Sequence, residues 1–170
     1  MSFISSLARW LTKFAAIAAI SAPAWALQPA TGDVVLTISG KIGESNRNNT
    51  AVFDLEMLQK LPQQTLVTKT PWDKNPTKFT GPLLRDVLSA VKSHGNTLTA
   101  LALNDYKTTI PAEDAALFDV IVAHRIDDMP ISIRTKGPLF IIYPFDSKPE
   151  LKSSKYYGRS AWQLKSIKVD

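Results

Sequence analysis

Between Val34 and Val169 no apolar periodicity runs far before glycine, proline or a polar turn interrupts it. That punctuation excludes long bundles and coiled coils and favours short strands and helices in alternation. The β-branched run 34–40, bounded by glycine, reads as a first strand. Asp54 then caps a helix over 54–61 that Pro62 stops. Residues 65–70 give a second strand, 73–78 a polar loop, and Gly81-Pro82 opens a helix running to about Val91. Strands follow over 97–103, 108–111 and 120–124, with a short helix over 112–118 and a turn over 126–130. Residues 137–144 form a buried strand, 145–155 a long loop, and 163–169 alternates as the last strand. No βαβ unit repeats, so the expected fold class is α+β with mixed sheets, not a Rossmann fold.

Composition narrows the chemistry. Of 170 residues, 45% are hydrophobic and 21% charged, the balance of one ordinary globular domain. The formal charge of +5 is scattered, which disfavours nucleic acid as a partner. Without a single cysteine there is no disulfide, thiolate metal site or thiol nucleophile, and two histidines leave little for a metal centre. Residues 1–26 carry Arg9 and Lys13, then an apolar stretch ending in Ala24-Trp25-Ala26, the pattern of a secretory signal peptide. The expectation is cleavage before Leu27, a periplasmic or secreted location and a single mature domain over 27–170; a retained anchor is the alternative.

Motifs for acyl transfer, nucleotide phosphates, zinc proteolysis and dinucleotides are all missing from the sequence. His94 and His124 sit at element ends and read as structural. Four loop segments instead combine aromatics with polar groups, the pairing that grips and identifies a flat heterocycle. They are Thr68 to Trp72; Asn104, Asp105 and Tyr106; Arg134 to Pro138; and Tyr156 to Trp162 with Arg159, Ser160 and Gln163. Each has a plain alternative: Trp72 and Trp162 as core aromatics, Asn104-Asp105 as a turn. Arg159 among aromatics either stacks or forks onto an anion.

The order of these segments resembles a known family. Residues 65–70 with Pro71-Trp72, Phe79-Thr80-Gly81-Pro82-Leu83-Leu84-Arg85-Asp86-Val87-Leu88, Asn104-Asp105-Tyr106, Met129-Pro130-Ile131-Ser132-Ile133-Arg134 and Gly137-Pro138-Leu139-Phe140-Ile141-Ile142-Tyr143-Pro144 look like the molybdopterin-binding domain of sulfite oxidase. Tyr156-Tyr157-Gly158-Arg159-Ser160-Ala161-Trp162-Gln163-Leu164 closes the match, which covers about residues 34–169. The resemblance implies a β-rich α+β domain holding a pterin whose dithiolene binds molybdenum, with a protein cysteine completing the coordination. Here that cysteine position falls on Thr68 or a neighbour, and a threonine hydroxyl ionises only at strongly alkaline pH. An arginine that typically contacts the cofactor falls on Phe140.

Two functions follow from the resemblance. In the first, the chain is a non-catalytic periplasmic pterin-binding protein that has lost the metal chemistry. It resembles short bacterial proteins that relay pterin levels to the periplasmic region of a membrane-bound cyclic-di-GMP enzyme. The implied contacts are Asp105 on the amino-pyrimidinone edge; Trp72, Tyr106 or Tyr157 stacked on the ring; Arg159, Ser160 and Asn104 on its carbonyl or side chain; and Thr68 at the former metal position. The ligand would be a reduced pterin or a molybdopterin-like one, without molybdenum. In the second, the chain is a molybdopterin-dependent oxidoreductase whose metal uses oxygen ligands alone. A weaker third possibility is an interaction domain with an empty cleft.

Overall fold

The structure is a computed structural model, and it describes residues 27–170; the expected signal peptide over 1–26 lies outside the described residues. The first strand, β1 (Val34–Gly40), alternates half-buried and buried positions. It pairs antiparallel with β2 (Ala51–Asp54) and parallel with the last strand of the chain. Asp54 ends β2 and caps α1 (Leu55–Lys60): one carboxylate oxygen accepts from the Met57 amide, the other from the amides of Thr31 and Gly32. These amide donors hold its carboxyl below the usual carboxylate value.

Next come β3 (Gln63–Thr68) and β4 (Thr77–Pro82), then α2 (Leu84–Ala90). The expected helix from Gly81 thus starts three residues later, because Gly81 and Pro82 extend β4. Glycine is required at 81: a Cβ there would meet the Val122 carbonyl oxygen at 2.1 Å, since a neighbouring strand passes directly across it. The chain continues with β5 (Thr97–Ala102), β6 (Lys107–Pro111), α3 (Asp114–Leu117) and β7 (Ile121–Ala123). Residues 126–130, expected as a plain turn, belong to a hairpin of β8 (Arg125–Ile126) and β9 (Met129–Pro130). Asp127 and Asp128 join its strands, both at positive φ, as a two-residue loop of this twist demands. The expected strand over 137–144 shrinks to β10 (Phe140–Ile142), and Gly137-Pro138 is cis. Within the expected loop 145–155 lie a 3-10 turn (Pro149–Leu151) and the start of α4 (Ser154–Arg159). β11 (Leu164–Val169) completes the chain.

The strands form a five-stranded sheet ordered β2-β1-β11-β5-β6, a four-stranded sheet ordered β3-β4-β8-β9 and the pair β10-β7. β1 and β11 run parallel while the other pairings are antiparallel, so the sheets are mixed and the fold class is α+β, as expected. One apolar core joins the layers: Leu36, Ile38 and Ile167 from the large sheet, Phe79 from the small one, Leu84 and Val87 from α2, and all three residues of β10.

His124 ties these layers together. Gln63 donates its amide NH2 to the carbonyls of Leu58 and Leu61, which leaves its oxygen to accept from His124 Nε2 at 2.8 Å. Burial, reinforced by the charge on Arg125, holds the imidazole below its ordinary value of 6.5. The folded state therefore refuses a proton that the unfolded chain accepts, so stability is complete above pH 6.5 and declines as pH falls below it. Thermal melts from pH 7.5 to 5 should show that decline in the wild type and a flatter profile in His124→Asn. Parallel profiles would rule out His124 as its source.

Candidate functional site

The site is assembled from chain segments distant in sequence, each fixed by its own local hydrogen bonds. Thr68 ends β3 fully buried; its hydroxyl donates to an Asp146 carboxylate oxygen at 3.3 Å and accepts the Asp146 amide at 3.1 Å. The same oxygen accepts the Lys69 amide at 2.6 Å. Lys152, 2.7 Å away, and that amide hold the Asp146 carboxyl below its usual range. Beyond this anchor the Thr70 hydroxyl accepts the amides of Trp72 and Asp73 and donates to Asp73, a compact turn that presents Trp72. Lys136 closes the turn with two bonds to Asp73 at 2.9 and 3.0 Å.

Trp72 sits at the centre of an aromatic cluster. Its ring lies 5.5 Å from Trp162, 5.9 Å from Phe140, 6.1 Å from Tyr157 and 6.2 Å from Phe145, mostly edge to face. Phe140, where the resemblance places an arginine, is fully buried and packs behind Trp72 and Trp162. Trp162 is held by a bridge to Phe140, and Gln163 reaches Lys136 and Ile133.

The β5–β6 turn supplies the opposite wall. The Asn104 side-chain oxygen accepts the Tyr106 amide at 3.1 Å, and Asp105 adopts φ +64° between them. From there the Tyr106 hydroxyl donates to the Gly158 carbonyl at 2.6 Å, joining the turn to α4. A cavity of about 300 Å³ remains between these walls, lined by Trp72, Asn104, Tyr106, Tyr157, Gly158, Ser160 and Trp162. Ser160 is buried and donates to the Tyr156 carbonyl, leaving its oxygen lone pairs available.

The structure thus brings Trp72, Asn104, Tyr106, Tyr157 and Ser160 together, and adds Trp162 and Gly158. Trp162 was visible as one of the loop aromatics; Gly158 offers only backbone and carried no signal. Three of the expected residues stand elsewhere. Thr68 is buried against Asp146, Asp105 is exposed and does not line the cavity, and Arg159 is 2.7 Å from Asp114 with its guanidinium 5.3 Å over the Tyr156 ring. Asp114 also accepts the buried Tyr143 hydroxyl at 2.7 Å. Burial and then the Asp114 carboxylate push that phenol far above its ordinary value, so it remains a neutral donor.

Among the described residues no charged side chain lines the cavity, and neither histidine reaches it. Nearby cations are already committed, Lys136 to Asp73 and Arg159 to Asp114. Among the described residues no group of three His, Asp or Glu side chains converges as a metal site. A thiolate-held molybdenum and a phosphate-bearing pterin therefore do not fit the donors present: the corresponding hydroxyl is spent on Asp146, and among the described residues no free cation lines the cavity. The uncharged pterin ring system itself meets aromatic walls and neutral hydrogen-bonding groups. A larger groove of about 860 Å³ lies between residues 27–31, α1 and α2, away from the aromatic cluster.

No protein-family model matches the chain, and no curated protein matches it either. Among solved structures, the chain is similar to the sulfane dehydrogenase SoxCD from Paracoccus pantotrophus, with a TM-score of 0.59 and 14% identity over 79% of this chain. The chain spans 37% of the SoxCD chain. That likeness lies in the fold, an α+β arrangement of mixed sheets of the sulfite oxidase kind.

Proposed function

We propose that this protein binds one uncharged pterin-type heterocycle in the aromatic cavity and is not itself a catalyst. One observation carries the proposal: among the described residues, four aromatic ones and no charged one line a cavity of about 300 Å³. That volume lies at the small end of ligand sites and suits a bicyclic ring better than a dinucleotide. Tryptophan and tyrosine rings grip the faces of such a ring, while Asn104, the Ser160 hydroxyl oxygen and the Gly158 carbonyl meet its polar edge. Asn104 takes the place first given to Asp105, its neighbour in the turn.

A second reading, a molybdopterin-dependent oxidoreductase, is favoured by the fold neighbour, a sulfane dehydrogenase. The donor chemistry at Thr68 and the lack of a charged lining residue among the described residues weigh against it. The proposal also includes export by residues 1–26 to the periplasm. There the loaded protein would act on the periplasmic region of a membrane-bound cyclic-di-GMP enzyme. The support for that partner is the sequence resemblance.

Because the grip is uncharged, affinity for tetrahydropterin should change less than about twofold between 50 and 500 mM salt, where exposed ion pairs are screened. Titration followed by tryptophan quenching measures it, and native mass spectrometry on protein from its own host gives the ligand mass. A steep salt dependence, or stoichiometric molybdenum with dye reduction, would favour the oxidoreductase.

A further inference from the structure

We infer that the outer edge of β3 is a docking edge, on which a second copy of this chain pairs its own β3 antiparallel. β3 ends the order β3-β4-β8-β9, and its six residues pair with β4 in unbroken register from Gln63↔Pro82 to Thr68↔Thr77. An antiparallel strand turns alternate backbone N–H and C=O groups outward, and an unpaired row of them is a template for another strand. Folded proteins blunt such edges with charges, prolines, bulges or covering segments. From Gln63 to Thr68 there is no charge, proline or bulge.

The other edges are managed. On β2 the Asn46 side chain bonds both the amide and the carbonyl of Val52, occupying that edge as a strand would. On the far side of the large sheet, β6 begins at Lys107, ends at Pro111 and is packed by α3 and α4. β9 is two residues long and ends in proline. β10 is bridged at Phe140 by Trp162, with the Ile141 amide bonded to Ala161. Among the described sheet edges β3 is the long one left uncovered over Gln63 to Val67, Asp146 covering its Thr68 end.

The strand's own pattern selects the occupant. Thr65 and the 59% exposed Val67 lie on the solvent face, whereas Leu66 pairs with fully buried Phe79 on the core side. Antiparallel pairing with an identical strand keeps Thr65 and Val67 on one face and Leu66 on the other, so the two small sheets become one continuous sheet. No charged residue of one β3 faces a like charge of the other, and β-branched threonine and valine favour cross-strand contact. Such a pairing is self-complementary about a two-fold axis. Its contact is small, so the dimer forms with concentration and is not obligate.

Sedimentation velocity of the full chain from micromolar to millimolar concentration tests this. The expected result is a monomer that becomes a dimer, with amide exchange slowing over residues 63–68 as it does. Thr65→Lys/Val67→Lys and Thr65→Glu/Val67→Glu, both at exposed positions, should each weaken self-association about tenfold through like-charge opposition. An equimolar mixture of the two should restore it. Three results would overturn the proposal: a monomer throughout, a dimer insensitive to both variants, or exchange protection elsewhere. Pterin binding by the variants, expected unchanged, separates this edge from the cavity.

Discussion

Replacing Trp72 with alanine should lower pterin affinity about 10- to 100-fold while the protein stays folded. An indole stacked on a heterocyclic ring contributes about 1–3 kcal/mol by alanine substitution, and each 1.4 kcal/mol is tenfold in affinity. Trp72 packs its ring against two other aromatics of the cavity, Trp162 and Tyr157, and against Phe140 and Phe145 behind it, all within 6.2 Å. Its loss removes one wall and loosens the neighbours that form the rest. Because the side chain is only half-buried, destabilisation should stay near 2 kcal/mol, a fall of about 4–8 °C in Tm. Trp72→Phe keeps an aromatic face and should recover most of the affinity. Tryptophan quenching titrations and circular dichroism on the same samples give both quantities. A folded Trp72→Ala protein that binds within twofold of the wild type would remove the cavity from the proposed function.

How much of this was legible in the sequence depends on whether the deciding forces are local. The alternation in β1, β5 and β11 and the Asp54 cap are short-range signals, and each element stands within a few residues of its expected place. β4 was hidden because Gly81-Pro82 mimics a helix start, whereas the glycine serves the close passage of Val122 in a strand 41 residues later. The parallel pairing of β1 with β11 joins opposite ends of the domain and leaves no mark on either strand alone. The site divides on the same line. Stacking residues were readable because tryptophan and tyrosine in loops are conspicuous, and Asn104 because it begins a turn. Arg159 pairs with Asp114, 45 residues away on another element, which no local pattern announces. Asp105 is exposed in that turn at φ +64° and does not line the cavity, a distinction its neighbours in sequence do not announce. Thr68 was assigned by position in a family pattern, while its hydroxyl answers to Asp146, 78 residues on.

That distant ion pair is where the largest loss of stability is expected. Asp114→Ala would strip one carboxylate oxygen from two donors, the Arg159 guanidinium and the Tyr143 hydroxyl, each 2.7 Å away. Side-chain exposures of 15% for Arg159 and 4% for Asp114 mean that water cannot take over. Removing one partner of a buried pair costs about 3–5 kcal/mol, since the remaining charge is stranded, and here a fully buried phenol loses its acceptor as well. The expected fall in Tm is about 10 °C, with a matching drop in the urea midpoint. Asp114→Asn keeps an acceptor oxygen and should lose less. Arg159 belongs to α4, which also carries Tyr157 and Gly158, so α4 should loosen first and pterin affinity should fall with stability. Adding Arg159→Ala to Asp114→Ala removes the stranded charge and should cost less than the two single losses combined. A Tm within about 2 °C of the wild type, or additive losses in that cycle, would mean that α4 is held by its aromatic contacts alone, with Tyr156 against Phe118 and Tyr143.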